Sequence, residues 1–196
     1  MNKNEIRVYA DKYGVPIMRP ETSRLIENFV NEAQPKNILE IGTAIGYSGI
    51  VMLNTSKAKL VTIEHNKQYI IKAKKNFVDN KLNSRVKILD MDCMVALANM
   101  ASNKKYSEYF DLIFLDGPKA QYEKMLDLLL ILLKKNGTLI VDDVLFHKKE
   151  NMPLSKRFRT IEARMNNFIE KCKNSQKFSK FTLNPVEDGV IFAEKG

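Results

Sequence analysis

The chain has 196 residues, of which 44% are hydrophobic and 28% charged, a composition that suits one soluble globular domain with a substantial core. No apolar run is long enough to cross a bilayer, which excludes a membrane-spanning chain, and two cysteines exclude a disulfide framework. The N-terminal residues also lack the apolar stretch of a signal peptide, so we expect a reduced, cytoplasmic setting.

The formal net charge is +9, and much of the excess lies in one segment. Residues 147–180 contain ten Lys or Arg and three Glu, a net charge of +7. Such a segment is typical of surfaces that bind polyanions. It is equally compatible with a solvated surface in a lysine-rich chain, and composition does not separate the two interpretations.

Two helices are predicted at the start of the chain. A weak helical pattern covers residues 3–13, and the sequence Tyr-Gly-Val-Pro at 13–16 ends it. A stronger pattern covers residues 21–34, where apolar residues recur at helical spacing, and Pro35 follows its end.

Five short apolar segments then alternate with helical patterns, which indicates a parallel sheet with helices on both faces. The predicted strands cover residues 38–41, 60–63, 85–89, 110–115 and 138–141. Helical patterns follow the first four strands, and residues 134–137 are typical of a helix C-terminus. After the fifth strand, a basic helix over 155–173 precedes two strands at 178–183 and 189–193, with a hairpin turn at 187–189.

The turn after the first predicted strand carries the most specific motif. Glu40, Gly42 and Gly46 are spaced Glu-x-Gly-x-x-x-Gly, which differs from the Gly-x-Gly-x-x-Gly fingerprint of dinucleotide sites. We expect outward-pointing N–H groups at this turn, and glycines that let a ligand approach the backbone. An acidic turn would favour the ammonium group of S-adenosylmethionine. The alternative is a strand–turn–helix corner with no ligand.

Acidic residues lie at the ends of predicted strands, at the edge where open α/β sheets bind their ligands. They are Glu40, Glu64, Asp116, Asp142 and Asp143. An acid in the position of Glu64 commonly accepts hydrogen bonds from ribose hydroxyls, although it can also cap the next helix. Asp92, after the third strand, could face an adenine amine or serve as a cap.

Three of these acids suggest a metal site. Asp116, Asp142 and Asp143 would repel one another if adjacent strands bring them together without a cation. Their hard oxygen atoms favour Mg²⁺ or Ca²⁺, whereas zinc is disfavoured because the two histidines lack ligand spacing with a cysteine. Lys119 could act as a base beside such a metal, or it could be an ordinary surface lysine at a helix start.

Four motifs, in order, resemble the metal-dependent O-methyltransferases, the family of catechol and caffeoyl-CoA O-methyltransferases. They are residues 40–48 (EIGTAIGYS), Glu64, residues 114–119 (FLDGPK) and residues 137–143 (GTLIVDD). The resemblance implies an α/β, Rossmann-like S-adenosylmethionine methyltransferase fold. Its mostly parallel seven-stranded sheet would have helices on both faces and an antiparallel C-terminal hairpin. We expect one domain over residues 1–196, with the helices of residues 1–35 as a cap over the site.

Carried over by position, the resemblance implies a role for each site residue. The cofactor S-adenosylmethionine would contact Met18, Glu40, Gly42, Tyr47, Ser48, Glu64, Asp92, Cys93 and Asp116, with Glu64 on the ribose and Asp92 and Cys93 beside the adenine. Asp116, Asp142 and Asp143 would bind Mg²⁺ or another hard divalent cation, and Lys119 and Asp116 would be catalytic. The family's usual third metal ligand is Asn, so Asp143 adds negative charge to the site.

Within the family, local features look most like the bacterial tRNA 5-hydroxyuridine methyltransferases. They are residues 15–18 (VPIM), the basic helix with Arg157, Arg159 and Arg164, and residues 185–190 (PVEDGV). This likeness implies that the arginines bind the tRNA anticodon loop and that wobble-position 5-hydroxyuridine is methylated to 5-methoxyuridine. Two alternatives stay open: an O-methyltransferase of catechols or other small phenols, and a non-catalytic RNA-binding protein. We also expect a homodimer and no membrane partner.

Overall fold

The computed structural model describes residues 1–145 and 155–196, which form seven helices, three short 3₁₀ turns and one sheet. The helices are α1 (Lys3–Tyr13), α2 (Pro20–Ala33), α3 (Tyr47–Asn54), α4 (Lys67–Asp79), α5 (Cys93–Ala101), α6 (Tyr122–Leu132) and α7 (Lys156–Lys173). The strands are β1 (Asn37–Ile41), β2 (Lys59–Glu64), β3 (Val86–Asp90), β4 (Phe110–Leu115), β5 (Leu133–Val141), β6 (Phe178–Asn184) and β7 (Val190–Lys195).

The sheet has the order β3-β2-β1-β4-β5-β7-β6. Strands β1 to β5 are parallel, and β7 runs antiparallel to both β5 and β6. The predicted fold, a mostly parallel seven-stranded sheet with an antiparallel C-terminal hairpin, is confirmed. This order brings the carboxyl ends of β1, β2, β4 and β5 to one edge, where the predicted acids lie.

The inner strands bury both faces, as is typical of a parallel sheet. Ile113 and Leu115 of β4 belong to the apolar cluster covered by α5, α6 and α7. Leu112 and Phe114, the alternate residues, belong to the cluster covered by α1 to α4. This two-sided burial fixes β4 in the middle of the sheet, and it thereby fixes the position of Asp116, which follows the end of β4.

The fifth strand begins earlier than the sequence predicts. Residues 134–137 were expected to end a helix, but β5 is continuous from Leu133, with a register shift against β4 between Phe110 and Leu112. Asn136 has a φ of 61°, so the chain turns within the irregular part of the strand. Residues 134–137 therefore form a bulge in β5 and not a helix C-terminus, because Leu133 pairs with Phe110 as soon as α6 ends.

The C-terminal hairpin holds the N-terminus of α2. Its predicted turn is present, with Gly189 at φ +76° and its N–H donated to the carbonyl of Val186 at 2.8 Å. The Glu187 carboxylate accepts the N–H groups of Glu21 and Thr22 at 3.2 and 2.8 Å, which replaces a local N-cap. Partial burial opposes ionisation of Glu187, but these hydrogen bonds lower its pKa.

The first two helices pack on α3 and on one face of the sheet, through Ile6 and Ala10 of α1 and Ile26 and Val30 of α2. Among the described residues, no helix is both long and apolar enough to cross a membrane.

Candidate active site

Two adjoining cavities, of about 620 and 290 Å³, lie at the carboxyl ends of the parallel strands. Five predicted cofactor contacts line the larger one: Gly42, Glu64, Asp92, Cys93 and Asp116. The smaller cavity is lined by residues of the segment 16–19, by Thr22 and by four aspartates, Asp116, Asp142, Asp143 and Asp188. Pro16, Asp116 and Asp143 line both, so the two spaces share a wall.

The turn of residues 42–46 does not present its N–H groups outward, which corrects our expectation. Gly42 and Thr43 both donate to the carbonyl of Ile63, at 3.1 and 3.2 Å, and Gly46 donates to the carbonyl of Thr43. Ala44 donates to Glu64 Oε2 at 2.9 Å. The β2 strand thus accepts three of the N–H groups of the turn, those of Gly42, Thr43 and Ala44.

Gly42 is required by the fold itself. Its φ is +99°, and a Cβ at this position would lie 2.0 Å from the carbonyl oxygen of Asp116. Gly46, at φ +85°, packs against the ring of Phe77. Both glycines of the motif are therefore explained by packing: Gly42 allows the close approach of the chain after β1 to the chain after β4, and Gly46 allows contact with Phe77.

Glu40 lies fully buried beneath the turn. The Ser48 hydroxyl donates to its Oε1 and the Thr62 hydroxyl to its Oε2, both at 2.5 Å. Burial raises the pKa of Glu40 to about 7, against the opposing effect of these two hydrogen bonds, and the nearby charges of Asp116 and Glu64 raise it further. Glu40 is thus a carboxyl group held near its titration point at neutral pH.

Four predicted cofactor contacts lie away from the larger cavity. Met18 lines the smaller cavity, while Glu40, Tyr47 and Ser48 are buried and are not among the residues that line either one in the described part of the chain. The Tyr47 hydroxyl receives a hydrogen bond from Arg7 at 2.5 Å, and the guanidinium carbon of Arg7 lies 4.7 Å from the centre of the Tyr47 ring.

Arg7 was missed by the sequence reasoning. It also donates to the carbonyl of Met18 at 3.1 Å, so it ties α1 both to the start of α3 and to the segment that lines the two cavities. No motif indicates this role, because an arginine forty residues upstream of its partner is visible only in the folded chain.

Glu64 lines the larger cavity and also anchors two chain segments. Besides Ala44, it accepts the N–H groups of His65 and Asn66 at 2.9 Å each through Oε1. Asp92 caps α5, accepting from Met94 and Val95 at 2.8 and 3.2 Å. The helix-cap alternative is confirmed for Asp92 but is wrong for Glu64, because Asn66 caps α4. Both acids border the larger cavity, and their cofactor roles stay predictions.

Cys93 begins α5 at the far wall of the larger cavity. Its thiol donates to Gln121 Oε1 at 3.6 Å. Burial raises the pKa of this thiol, with a further contribution from the charge of Asp92. Cys93 is therefore a neutral, weakly polar wall residue.

The three predicted metal ligands all line the smaller cavity. Burial raises the pKa of Asp142 to about 8, and repulsion by Asp116 adds to the effect. Burial also raises the pKa of Asp116, to about 6, while Lys119 opposes the shift. Asp143, at φ +58°, forms an ion pair with Lys119.

In this conformation the three aspartates do not form a compact ligand set. Across residues 1–145 and 155–196, no group of three His, Cys, Asp or Glu side chains is positioned to hold a metal ion. The Lys119 ammonium group pairs with one of these carboxylates, that of Asp143. The metal role of these residues stays a prediction.

The basic segment is described in part. Residues 146–154 and the side chain of Arg157 lie outside the described residues. Arg159 and Arg164 are exposed on α7, whose opposite face packs Met165, Phe168 and Cys172 into the core. The two arginines are accessible for an anionic partner, and their role in RNA binding is not tested by these positions.

Comparison with known proteins assigns a family. A sequence model described as O-methyltransferase matches residues 4–196. Catechol O-methyltransferase from Niastella koreensis is 32% identical over 126 residues, which cover 63% of this chain and 56% of that protein. Tricin synthase 2 from Oryza sativa is 28% identical, covering 93% of this chain and 64% of that protein. The chain thus spans about half to two thirds of the length of these relatives.

Solved structures agree with the fold. A crystal structure from Staphylococcus aureus, titled as a candidate caffeoyl-CoA O-methyltransferase, has a TM-score of 0.88 at 28% identity and covers 100% of this chain and 93% of that one. The O-methyltransferase from Bacillus cereus in complex with SAH has a TM-score of 0.79 at 23% identity, with 99% and 90% covered. With a family model that spans nearly its whole length and a matching fold, the chain belongs to the O-methyltransferase family.

Proposed function

We propose that the protein is an S-adenosylmethionine-dependent O-methyltransferase that acts on a small hydroxylated aromatic compound. The observation that carries this proposal is the pair of adjoining cavities that share Asp116. Methyl transfer needs a donor and an acceptor oxygen held in near-attack contact, and two spaces with a common wall provide that arrangement.

The larger cavity would hold the cofactor. Its volume of about 620 Å³ lies in the usual range of ligand pockets, roughly 300–1,000 Å³. Glu64 would accept a ribose hydroxyl at Oε2, which carries the one lone pair that its backbone contacts leave free, and Asp92 and Cys93 would adjoin the adenine. Glu40, below the turn, would favour the ammonium group once ionised. When bound, the cofactor supplies an electrophilic methyl group.

The donor chemistry of the acids that line the smaller cavity suits a hard divalent cation, which would draw them into one ligand set. Asp116, Asp142 and Asp143 line this cavity together, and burial, which raises the pKa of Asp116 and Asp142 even with Lys119 nearby, would favour a further positive charge beside them. Oxygen ligands of this kind suit Mg²⁺. When bound, the cation would lower the pKa of an acceptor hydroxyl. Lys119, held at the wall by Asp143, would stabilise the resulting oxyanion as an ammonium group, and would accept the proton that this hydroxyl loses only in its neutral form.

A small aromatic acceptor has more support than RNA. The smaller cavity, about 290 Å³, is recessed beside Met18 and Ile17, which offer apolar surface to a ring. The Niastella koreensis relative is named as a catechol O-methyltransferase. Methylation of wobble 5-hydroxyuridine is the second candidate, and the exposed Arg159 and Arg164 are the observation that favours it. The homodimer stays a prediction.

The test measures transfer of a labelled methyl group to catechol and, in parallel, to an anticodon stem-loop that carries 5-hydroxyuridine. We expect Mg²⁺-dependent transfer to catechol that EDTA abolishes. Asp142→Ala should abolish turnover while cofactor affinity by calorimetry stays within a few-fold. Asp188→Asn, which changes another acid of the same cavity, is the control and should keep substantial activity.

Each part of the proposal can fail separately. If the folded native protein binds no S-adenosylmethionine, the enzymatic proposal is wrong. Unchanged turnover in EDTA would remove the metal but keep the enzyme. Transfer to the stem-loop alone would select the second candidate.

A further inference from the structure

A basic groove runs along the edge of the sheet opposite to the candidate active site. The active-site cavities lie where the parallel strands end, whereas this groove lies where β1 to β4 begin. Three cavities of about 240, 310 and 330 Å³ open there. The cavity of about 330 Å³ shares Lys36 with the one of about 240 Å³ and Lys59 with the one of about 310 Å³, so the three cavities adjoin in a row. We call this row of cavities the basal groove.

The basal groove is strongly positive. Seven lysines and Arg85 line it, against one acid, Asp111. The resulting net charge of +7 equals that of residues 147–180. The sequence does not reveal this cluster, because its members come from the starts of different strands and from the loops that precede them.

Most of the lysines that line the basal groove have no acidic side chain as an ion-pair partner among the described residues. Asp111 accepts from Lys134 Nζ at 2.7 Å and from the N–H groups of Lys36 and Asn37 at 3.0 and 2.7 Å. Within the described part of the chain, the other six lysines form no ion pair, and all six are exposed: Lys36, Lys57, Lys59, Lys87, Lys105 and Lys135. Exposed ammonium groups without ion-pair partners along a groove are suited to a phosphate backbone.

Aromatic side chains lie among these lysines. Tyr106 and Tyr109 are half-buried and line the same cavity as Lys87 and Lys105. Their rings meet edge to face at 5.7 Å, and Lys105 Nζ lies 5.8 Å from the centre of the Tyr106 ring. Positive grooves with aromatic side chains are the means by which proteins bind single-stranded nucleic acid without sequence preference.

We propose that the basal groove binds single-stranded nucleic acid, with phosphates on the lysines and bases against the tyrosines. This site is separate from the catalytic one, and it is independent of whether the methyl acceptor is a small molecule. A purely electrostatic surface would bind a duplex more tightly, because a duplex has the higher charge density. Because the tyrosines can stack on unpaired bases, we expect the groove to bind a single strand more tightly than a duplex.

The experiment compares two variants of equal charge. The groove variant carries Lys59→Gln, Lys87→Gln and Lys105→Gln. The control variant carries Lys12→Gln, Lys74→Gln and Lys124→Gln, which are exposed lysines outside the groove. Affinity for a labelled uridine oligonucleotide is measured by fluorescence anisotropy at several salt concentrations. An Arg159→Gln, Arg164→Gln variant serves as the comparison for α7.

Loss of three phosphate contacts should reduce the log–log salt slope by about 2, since each contact on a single strand contributes roughly 0.7. The control variant should keep the native slope. Equal effects of the two triple variants would overturn the proposal, because net charge alone would then explain binding. No binding by the native protein, tighter binding of a duplex, or equal binding of a polyglutamate chain would also overturn it.

Folding of each variant is checked by circular dichroism. If the groove variant is unfolded, the native protein still provides a test through amide chemical shifts on addition of the oligonucleotide. We expect shifts at residues 57–59, 84–87 and 104–109. Shifts confined to α7 would contradict the proposal.

Discussion

Replacing Glu40 by Gln should flatten the pH dependence of stability. Glu40 is fully buried, and its pKa in the folded protein is about 7, compared with an ordinary value of 4.5. Between these two pH values the folded state holds a proton that the unfolded state releases, so the unfolding free energy falls as pH rises through this window. A difference of about 2.5 pKa units corresponds to about 3 kcal/mol.

Urea unfolding from pH 4.5 to 7.5, without cofactor and with EDTA, measures this effect. The native protein should lose about 3 kcal/mol more than Glu40→Gln over the range. Gln keeps the size of the side chain and can still bond Ser48 and Thr62. Glu32→Gln, an exposed change on α2, is the matched control and should follow the native curve. Parallel curves for the native protein and Glu40→Gln would refute the reasoning, because burial would then not oppose ionisation.

Two further predictions concern stability. Glu187→Gln should cost about 1 kcal/mol in urea, because α2 loses a charged acceptor at its N-terminus. Because folding lowers the pKa of Glu187, the stabilisation by its carboxylate is present above the pKa of the unfolded state and is lost as pH falls through the folded pKa. An equal loss of stability in the exposed Glu21→Gln variant would contradict this prediction. Gly42→Ala should cost several kcal/mol more than Gly14→Ala, because both have positive φ but only Gly42 lacks space for a Cβ. Similar melting temperatures for the two alanine variants would rule out the predicted clash.

The arrangement of secondary structure was largely predictable. Apolar segments of four to six residues between helical patterns imply a parallel sheet, because only a strand buried on both faces is apolar throughout. The acids at the strand ends follow from the same argument, since all parallel strands end at one edge. Glu64 and Asp116 therefore lie at the predicted cavity.

Contacts between distant segments were not predictable in this way. Residues 134–137 have the composition of a helix stop, yet pairing of Leu133 with Phe110 makes them part of a strand. The turn of residues 42–46 was expected to expose its N–H groups, but β2 supplies acceptors for those of Gly42, Thr43 and Ala44. In both cases a neighbouring strand offered a hydrogen bond that the local sequence does not contain.

By itself, the sequence determined the order of the elements, the edge of the sheet at which the acids gather and the family to which the chain belongs. These depend on local apolar periodicity and on motifs within a few residues of one another. Only the tertiary structure decided that Arg7 contacts Tyr47, that Glu187 caps α2 and that seven lysines share one groove. The reason is physical: charge and hydrogen-bonding partners are set by distance in space, and chain folding brings together residues whose separation in sequence is unrelated to that distance.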